Sequence, residues 1–338
     1  SNFTATADGA IAIGKSVALQ SNGTVKQIAA TISDISPITL GTHATRSVSG
    51  SASDPDTSIG NLYYFPPNDA TIHVWARSNG AVYMMINSYS ASGDSYTTHT
   101  QSLALGDYFE NENLTTAFDP TTGYLLVVWG ASANSGGGFR YRLYYFYDNN
   151  GTLAYGNSGQ QTVTAYGNVH GAGQQKLSLA YSTTDGHFRM AMVNQYNNLH
   201  IITMEPSQTN NTPSLTFKGS GNAYTSINNT EGTWMCYDSA NNRFLVSARN
   251  NQSNDDRGTY YYFSTATSNG AITNHATGHF YNVYSVNYTR CEYNPQDQCA
   301  VIIFHYTGGL GVKQLDLNSD GTVTVVGGAN TVYSQHNT

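Results

Sequence analysis

Thr233–Asn250, TWMCYDSANNRFLVSARN, is the stretch on which the fold turns. It reads as a strand ending on an aromatic (Tyr237), a polar turn over Asp238–Asn242, and a returning strand of alternating apolar and polar residues. Four other stretches repeat its outline: LTTAFDPTTGYLLVVWG around Phe118, LSLAYSTTDGHFRMAMVN around Tyr181, TRCEYNPQDQCAVIIFHY around Tyr293, and a shorter-turned copy, LYYFPPNDATIHVWAR, around Phe65. The anchors Phe65, Phe118, Tyr181, Tyr237 and Tyr293 lie 53, 63, 56 and 56 residues apart. Recurrence at about 50 residues marks a stacked or radial repeat, whose units bury their apolar faces only against one another.

A second, Tyr-rich hairpin follows the anchor hairpin. YRLYYFYDNNGTLAYG turns at Asn150-Gly151, GTYYYFSTATSNGAITN at Asn269-Gly270, and GVKQLDLNSDGTVTVV at Asp320-Gly321. Asn-Gly and Asp-Gly suit two-residue hairpin turns because both central residues need positive φ. Gly151 and Gly270 lie 33 residues past their anchors, and Gly93 and Gly321 lie 28 past theirs. This second period is independent of the first. Four strands in two hairpins describe a propeller blade, so the expected fold is all-β, a β-propeller of four-stranded blades. Period-two apolarity places Leu125, Val127 and Trp129, Phe188, Met190 and Met192, Phe244, Val246 and Ala248, and Ala300, Ile302 and Phe304 on one sheet face, between blades.

Upstream of the repeats, Ser21-Asn22-Gly23 marks one more hairpin, and residues 30–60 are polar with Pro37 and Pro55. Two architectures follow. Either residues 1–60 are an attachment segment of hairpin and linker before a five-bladed propeller at 61–338, or they form a degenerate blade of a six-membered ring. The N-terminal residues lack the charged-then-apolar layout of a secretory signal.

Composition narrows the function. Only 10% of the 338 residues are charged, 12% are aromatic, and the formal net charge is −7. A phosphate-backbone partner rewards clustered Lys and Arg, so nucleic acid is not expected. No apolar run approaches the roughly 20 residues of a spanning helix, so membrane insertion is not expected. Cys236, Cys291 and Cys299 do not form a disulfide scaffold, although Cys291 and Cys299 flank one turn and a bridge there is conceivable.

Catalytic patterns are sparse. The Asp residues fall mostly in turns, where a carboxylate caps its own backbone. A glycosidase needs two carboxyls about 5–10 Å apart, and no spacing nominates a pair among Glu110, Glu112, Glu205, Glu231 and Glu292. Sialidase repeats carry Ser-x-Asp-x-Gly-x-Thr-Trp turns; Thr184-Asp185-Gly186 and Ser319-Asp320-Gly321 lack both the spacer and the Trp. No nucleophile elbow or phosphate loop occurs. His73 and His305 fall on strands and read as packed or surface residues, and Asn251–Asp256 reads as a polar loop ahead of a Ca²⁺ site. The chain is therefore expected to be non-enzymatic, with no cofactor and no metal. Tyr144, Tyr145 and Tyr147 and Tyr260, Tyr261 and Tyr262 are the candidate ligand-binding residues, because rings with a hydroxyl match the apolar faces and polar edges of sugars. The competing reading is outer-strand filler of high β propensity.

AFDPTTGYLLVVWG and CYDSANNRFLVSARN resemble the propeller-like repeats of tail-fibre and other virion proteins of marine tailed phages, cyanophages among them. ADGAIAIGKSVALQSNGTVKQI is similar to a leader that precedes such repeats. The resemblance covers most of the chain and carries no catalytic signature. It implies a protein on the surface of an extracellular virion, contacting other virion proteins and a host receptor, a glycan above all, with a homo-oligomer as one arrangement. A capsid decoration protein is the alternative, and a glycan depolymerase the third.

Overall fold

The computed structural model describes residues 17–19, 25–27, 55–77, 82–90, 95–103, 109–131, 138–167, 169, 176–196, 198–224, 231–252, 255–282, 286–307 and 309–334. Its chain divides into two compact units, Ser1–Ala52 and Ser53–Thr338. In the first, β1 (Val17–Leu19) pairs antiparallel with β2 (Val25–Gln27). The Asn22-Gly23 turn, Gly93 and residues 30–54 of the expected linker lie outside the described residues.

The second unit is a β-propeller of five antiparallel blades, each made from one contiguous stretch. Blade 1 is β3 (Pro55–Phe65), β4 (Ala70–Arg77), β5 (Val82–Ser90) and β6 (Ser95–Leu103). Blade 2 is β7 (Phe109–Phe118), β8 (Tyr124–Ala131), β9 (Phe139–Asn149) and β10 (Thr152–Asn157), with the short β11 (Gln161–Val163) continuing β10 along β9. Blade 3 is β12 (Leu177–Ser182), β13 (His187–Val193), β14 (Leu199–Thr209) and β15 (Thr212–Tyr224). Blade 4 is β16 (Glu231–Asp238), β17 (Arg243–Gln252), β18 (Asp255–Thr265) and β19 (Ile272–Tyr281). Blade 5 is β20 (Val286–Asn294), β21 (Cys299–Tyr306), β22 (Gly309–Leu317) and β23 (Val323–Ser334). The first strands of successive blades lie side by side, while fourth strands barely meet, so β3, β7, β12, β16 and β20 are the inner strands. β3 begins at Pro55, inside the segment read as linker.

The anchor hairpins share one register. Phe118 pairs with Leu125, Tyr181 with Phe188, Tyr237 with Phe244 and Tyr293 with Ala300, seven residues on in each case. Five residues after each anchor comes a residue of positive φ, Gly123, Gly186, Asn242 or Gln298. The first blade fits this pattern only from Tyr64, which pairs with Thr71 and is followed five residues later by Asp69 at φ 44°. The first anchor is therefore Tyr64 and not Phe65. A one-residue slip exchanges the two faces of a strand, and Phe65, Ile72 and Val74 indeed pack toward blade 2 and not away from it.

Among the described residues four cores join the five blades. The anchor-side face of blade 2 (Leu125, Val127, Trp129) packs on blade 1, and the corresponding faces of blades 3, 4 and 5 pack on their predecessors. Hydroxyls tie the inner strands: Leu179 N donates to Thr115 Oγ1 (3.0 Å) and Met235 N to Ser178 Oγ (2.8 Å), both acceptors lying three residues before an anchor. At the last interface that position is Trp234, and Thr289 Oγ1 donates to Gly232 O instead (2.7 Å). Among the described residues no fifth core covers the outward faces of blades 1 and 5. Leu62 is 68% exposed, Tyr64 51% and Ile303 45%.

Candidate functional site

The anchor turns gather polar groups at one end of the blades, but they use them on themselves. Asp119 accepts from Thr121 N (2.9 Å) and from the Thr122 hydroxyl; Asp238, fully buried, accepts from Ala240 N (3.0 Å), Asn241 N (3.2 Å) and the Tyr262 hydroxyl. Asn294 caps Gln296 N in the same way (3.0 Å). The anchor hydroxyls reach back one blade. The Tyr237 hydroxyl donates to Thr184 Oγ1 of blade 3 (2.6 Å). Tyr181 is held well above the usual phenol range by burial and by the Asp119 carboxylate of blade 2, and Tyr293 is pushed up to about 12 by burial and by Asp238 of blade 4. These side chains build the stack and leave little for a ligand.

Two other polar features stand out. Asp297, Asp316, Asn318, Asp320 and Thr322 line a surface recess of about 520 Å³ on blade 5. Its carboxylates are engaged, Asp297 by Asn294 Nδ2 (2.7 Å), Asp316 by Gln314 Nε2 (2.8 Å) and Asp320 by Thr322 N (2.9 Å). Glu292, on the outward side of β20, is raised by burial, partly offset by the Arg290 charge, while the Arg290 guanidinium sits 4.6 Å from the Trp234 ring centroid. Asn251 and Asp256 stand opposite one another at the paired ends of β17 and β18. Among the described residues no three His, Cys, Asp or Glu side chains gather as a metal site.

The six candidate tyrosines separate by strand parity. Tyr144 is fully buried between blades 1 and 2, against Phe146 and Tyr155. Tyr260 and Tyr262 lie in the core between blades 4 and 5, and Tyr261 in that between blades 3 and 4. Burial removes these four from any ligand-facing surface. A blade strand is covered on both faces, so alternation carries both sets inward along most of its length. Tyr145 and Tyr147 differ. They are half-buried at the rim where β9 runs past the core, their rings stacked with centroids 5.6 Å apart. Tyr124, opposite Tyr145 on β8, extends the strip with centroids 5.2 Å apart. Burial, then the Tyr145 phenol, raises Tyr124.

Sequence reasoning missed a second half-exposed group, on the outward face of blade 1. His73 stacks on Trp75 (4.9 Å), and Trp75 on Tyr83 across the ladder (5.6 Å). Burial lowers the His73 imidazole. The signal for this face was the seven-residue spacing from Tyr64 to Thr71, which the anchor at Phe65 concealed. Cys291 and Cys299, the pair for which a bridge was conceivable, are free thiols, with Cys291 opposite Ile302 and Cys299 opposite Asn294.

No protein-family model matches the chain, and no curated protein does. Solved structures do. A putative 6-phosphogluconolactonase from Bacteroides uniformis is 12% identical, with a TM-score of 0.49 over 79% of this chain and 70% of the other. A mutant of Trypanosoma rangeli sialidase displaying trans-sialidase activity is 11% identical, with a TM-score of 0.41 over 98% of this chain and 54% of the other. AofleA from Arthrobotrys oligospora is 8% identical, with a TM-score of 0.34 over 80% and 86%. Likeness at this level assigns no activity to the chain. It does correct one expectation: the matched structures include enzymes, so the lack of a catalytic signature in the repeats no longer sets the chain apart as a non-enzyme.

Proposed function

We propose that the chain is a virion surface protein of tail-fibre type whose propeller engages a glycan receptor on the host. The virion assignment rests on the sequence resemblance of the repeats. The observation that carries the ligand class is the rim strip of Tyr124, Tyr145 and Tyr147, half-exposed on blade 2 while the other four candidate tyrosines, Tyr144, Tyr260, Tyr261 and Tyr262, are buried. Rings stacked along a strand cover each other's faces and project their hydroxyl edges. Tyr147 ends the series, so a sugar's apolar face meets its ring while sugar hydroxyls meet the phenols. Tyr suits this work because it joins a large apolar body to one polar tip.

The test separates stacking from charge steering. Attraction between charges is screened within about 3 Å at 1 M salt, whereas ring-on-sugar contact is not. Purified protein is expected to bind host cells at high salt, to be displaced by cell-surface polysaccharide, and to lose about tenfold in affinity on Tyr147→Ala with its denaturation midpoint unchanged. Such a loss corresponds to about 1.4 kcal/mol. Binding that fades with salt, or that is indifferent to Tyr147→Ala, overturns this site. No cell binding by the folded protein overturns the receptor role and leaves capsid decoration as the reading.

A further inference from the structure

Two thiols face each other across the interface of blades 4 and 5. Cys236 lies one residue before the anchor Tyr237, on the face that blade 4 turns to its successor. Cys291 lies two residues before Tyr293, on the face that blade 5 turns to its predecessor. Both are buried in the same core. The Cys291 thiol is 3.4 Å from Trp234 O and 3.7 Å from Leu245 O. Trp234 is two residues from Cys236 on the same strand, and Leu245 stands directly opposite Cys236 in the ladder. Cys291 Sγ is thus held against the backbone on two sides of Cys236. Their strands, β16 and β20, share the most extensive contact of any neighbouring inner pair. A hydrogen bond between the thiols, followed by burial, pushes Cys236 well up.

We propose that Cys236 and Cys291 are an interblade disulfide site, free as the chain folds and closed by oxidation. The inference is independent of the receptor reading. With hydrogen peroxide as oxidant, one thiolate takes an oxygen to become a sulfenic acid, and the other oxygen leaves as hydroxide, which takes up the proton that thiol released and becomes water. The second thiolate attacks that sulfur, the S–S bond forms, and hydroxide leaves as water with the thiol proton. Two thiols and one peroxide yield one disulfide and two waters; the sulfurs lose two electrons and the peroxide gains them. The bond would join inner strands of adjacent blades around the whole of blade 4, a long closed loop that restricts the unfolded chain. Burial keeps peroxide away until the interface opens, so closure is slow in the folded protein and fast during refolding.

The experiment treats the full chain with stoichiometric peroxide in two ways, folded and during refolding from denaturant. Free thiols are then counted under denaturing conditions, and peptides are mapped without reduction. The expected result is one remaining thiol, Cys299, a linked Cys236–Cys291 peptide, and a denaturation midpoint that rises on oxidation and returns with reductant. Cys299→Ser keeps the link, while Cys236→Ser and Cys291→Ser each abolish it. Three thiols surviving both treatments, a link through Cys299, sulfinic acid on unlinked cysteines, or a lower midpoint on oxidation overturns the proposal.

Discussion

Arg189 is fully buried at the interface of blades 3 and 4, and its environment shows how single residues hold neighbouring blades together. Its guanidinium makes two parallel hydrogen bonds to Asp185 (2.7 and 2.6 Å), its Nε donates to Thr265 Oγ1 of blade 4 (2.8 Å), and its Cζ lies 5.2 Å from the Phe244 ring centroid. Burial opposes ionisation of Asp185, but the hydrogen bonds and charge of Arg189, with Ser182 and His187 N, prevail and hold the carboxyl below its ordinary value. Breaking a buried pair by removing one partner costs about 3–5 kcal/mol. Asp185→Asn keeps an oxygen for His187 N, so the low end of that range is expected. The pH dependence has a definite sign. A depressed carboxyl contributes stability above its unfolded value, about 3.9, and loses it as pH falls through the native value. The gap in unfolding free energy between wild type and Asp185→Asn should be constant from about pH 5 to 7 and shrink below about pH 4. A gap that persists in acid would show that the carboxylate charge is not what Arg189 requires.

At the scale of the hairpin, a left-handed residue closes the turn, five places after the anchor in the first hairpin of each blade, and the demand on it differs between the two hairpins of blade 2. Gly123 has φ 81°, and a Cβ there would come within 2.0 Å of Phe146 O. Gly151 has the same φ, and a Cβ there would meet nothing within 4 Å. Gly151→Ala should therefore cost only the left-handed penalty, about 1–2 kcal/mol. Gly123→Ala must in addition displace the strand whose Phe146 N donates to Gly123 O (2.8 Å), so a clearly larger loss is expected in denaturant melts of the two variants. Equal losses would mean that β9 yields without strain. The same turns explain what was legible in the sequence. Anchor, turn and +7 partner were visible wherever Asp, Asn or Ser followed the anchor to cap the turn, as at Asp119, Ser182, Asp238 and Asn294. In blade 1 the apolar Phe65 fills that place and Pro66-Pro67 follows, so the bulkiest buried ring was taken for the anchor. The second hairpin of blade 3 turns at Asn210-Asn211, both at positive φ, without the glycine that marked the others. For the tyrosines, identity was legible and depth was not, because both faces of these strands alternate equally well. Of the six candidate tyrosines, only Tyr145 and Tyr147, toward the end of β9, emerge.

Over the whole propeller, the described residues of five blades make four cores, and the two end faces carry the residues that interior blades bury. Positions occupied by Phe188, Met190 and Met192 in blade 3 are Thr71, His73 and Trp75 in blade 1, an aromatic but more polar set. On blade 5 the equivalents of the buried Leu126 and Val128 are Val301 and Ile303, still apolar and partly open. Whether this face is covered in the folded protein is a question of stability, since a covered apolar residue costs more to truncate than an open one. Adjacent isoleucines on β21 answer it in solution. Ile302 is fully buried toward blade 4, while Ile303 points outward. Both lose the same β propensity on truncation, so their difference reports burial. Ile302→Ala should cost about 2–5 kcal/mol, and Ile303→Ala about 1 kcal/mol or less. The two midpoints should then lie far apart at every protein concentration. Should Ile303→Ala prove as costly as Ile302→Ala, the outer face of blade 5 is covered in the folded protein. A cost that appears only as concentration rises would assign that cover to a second molecule, since mass action ties the stability of an associating protein to its concentration.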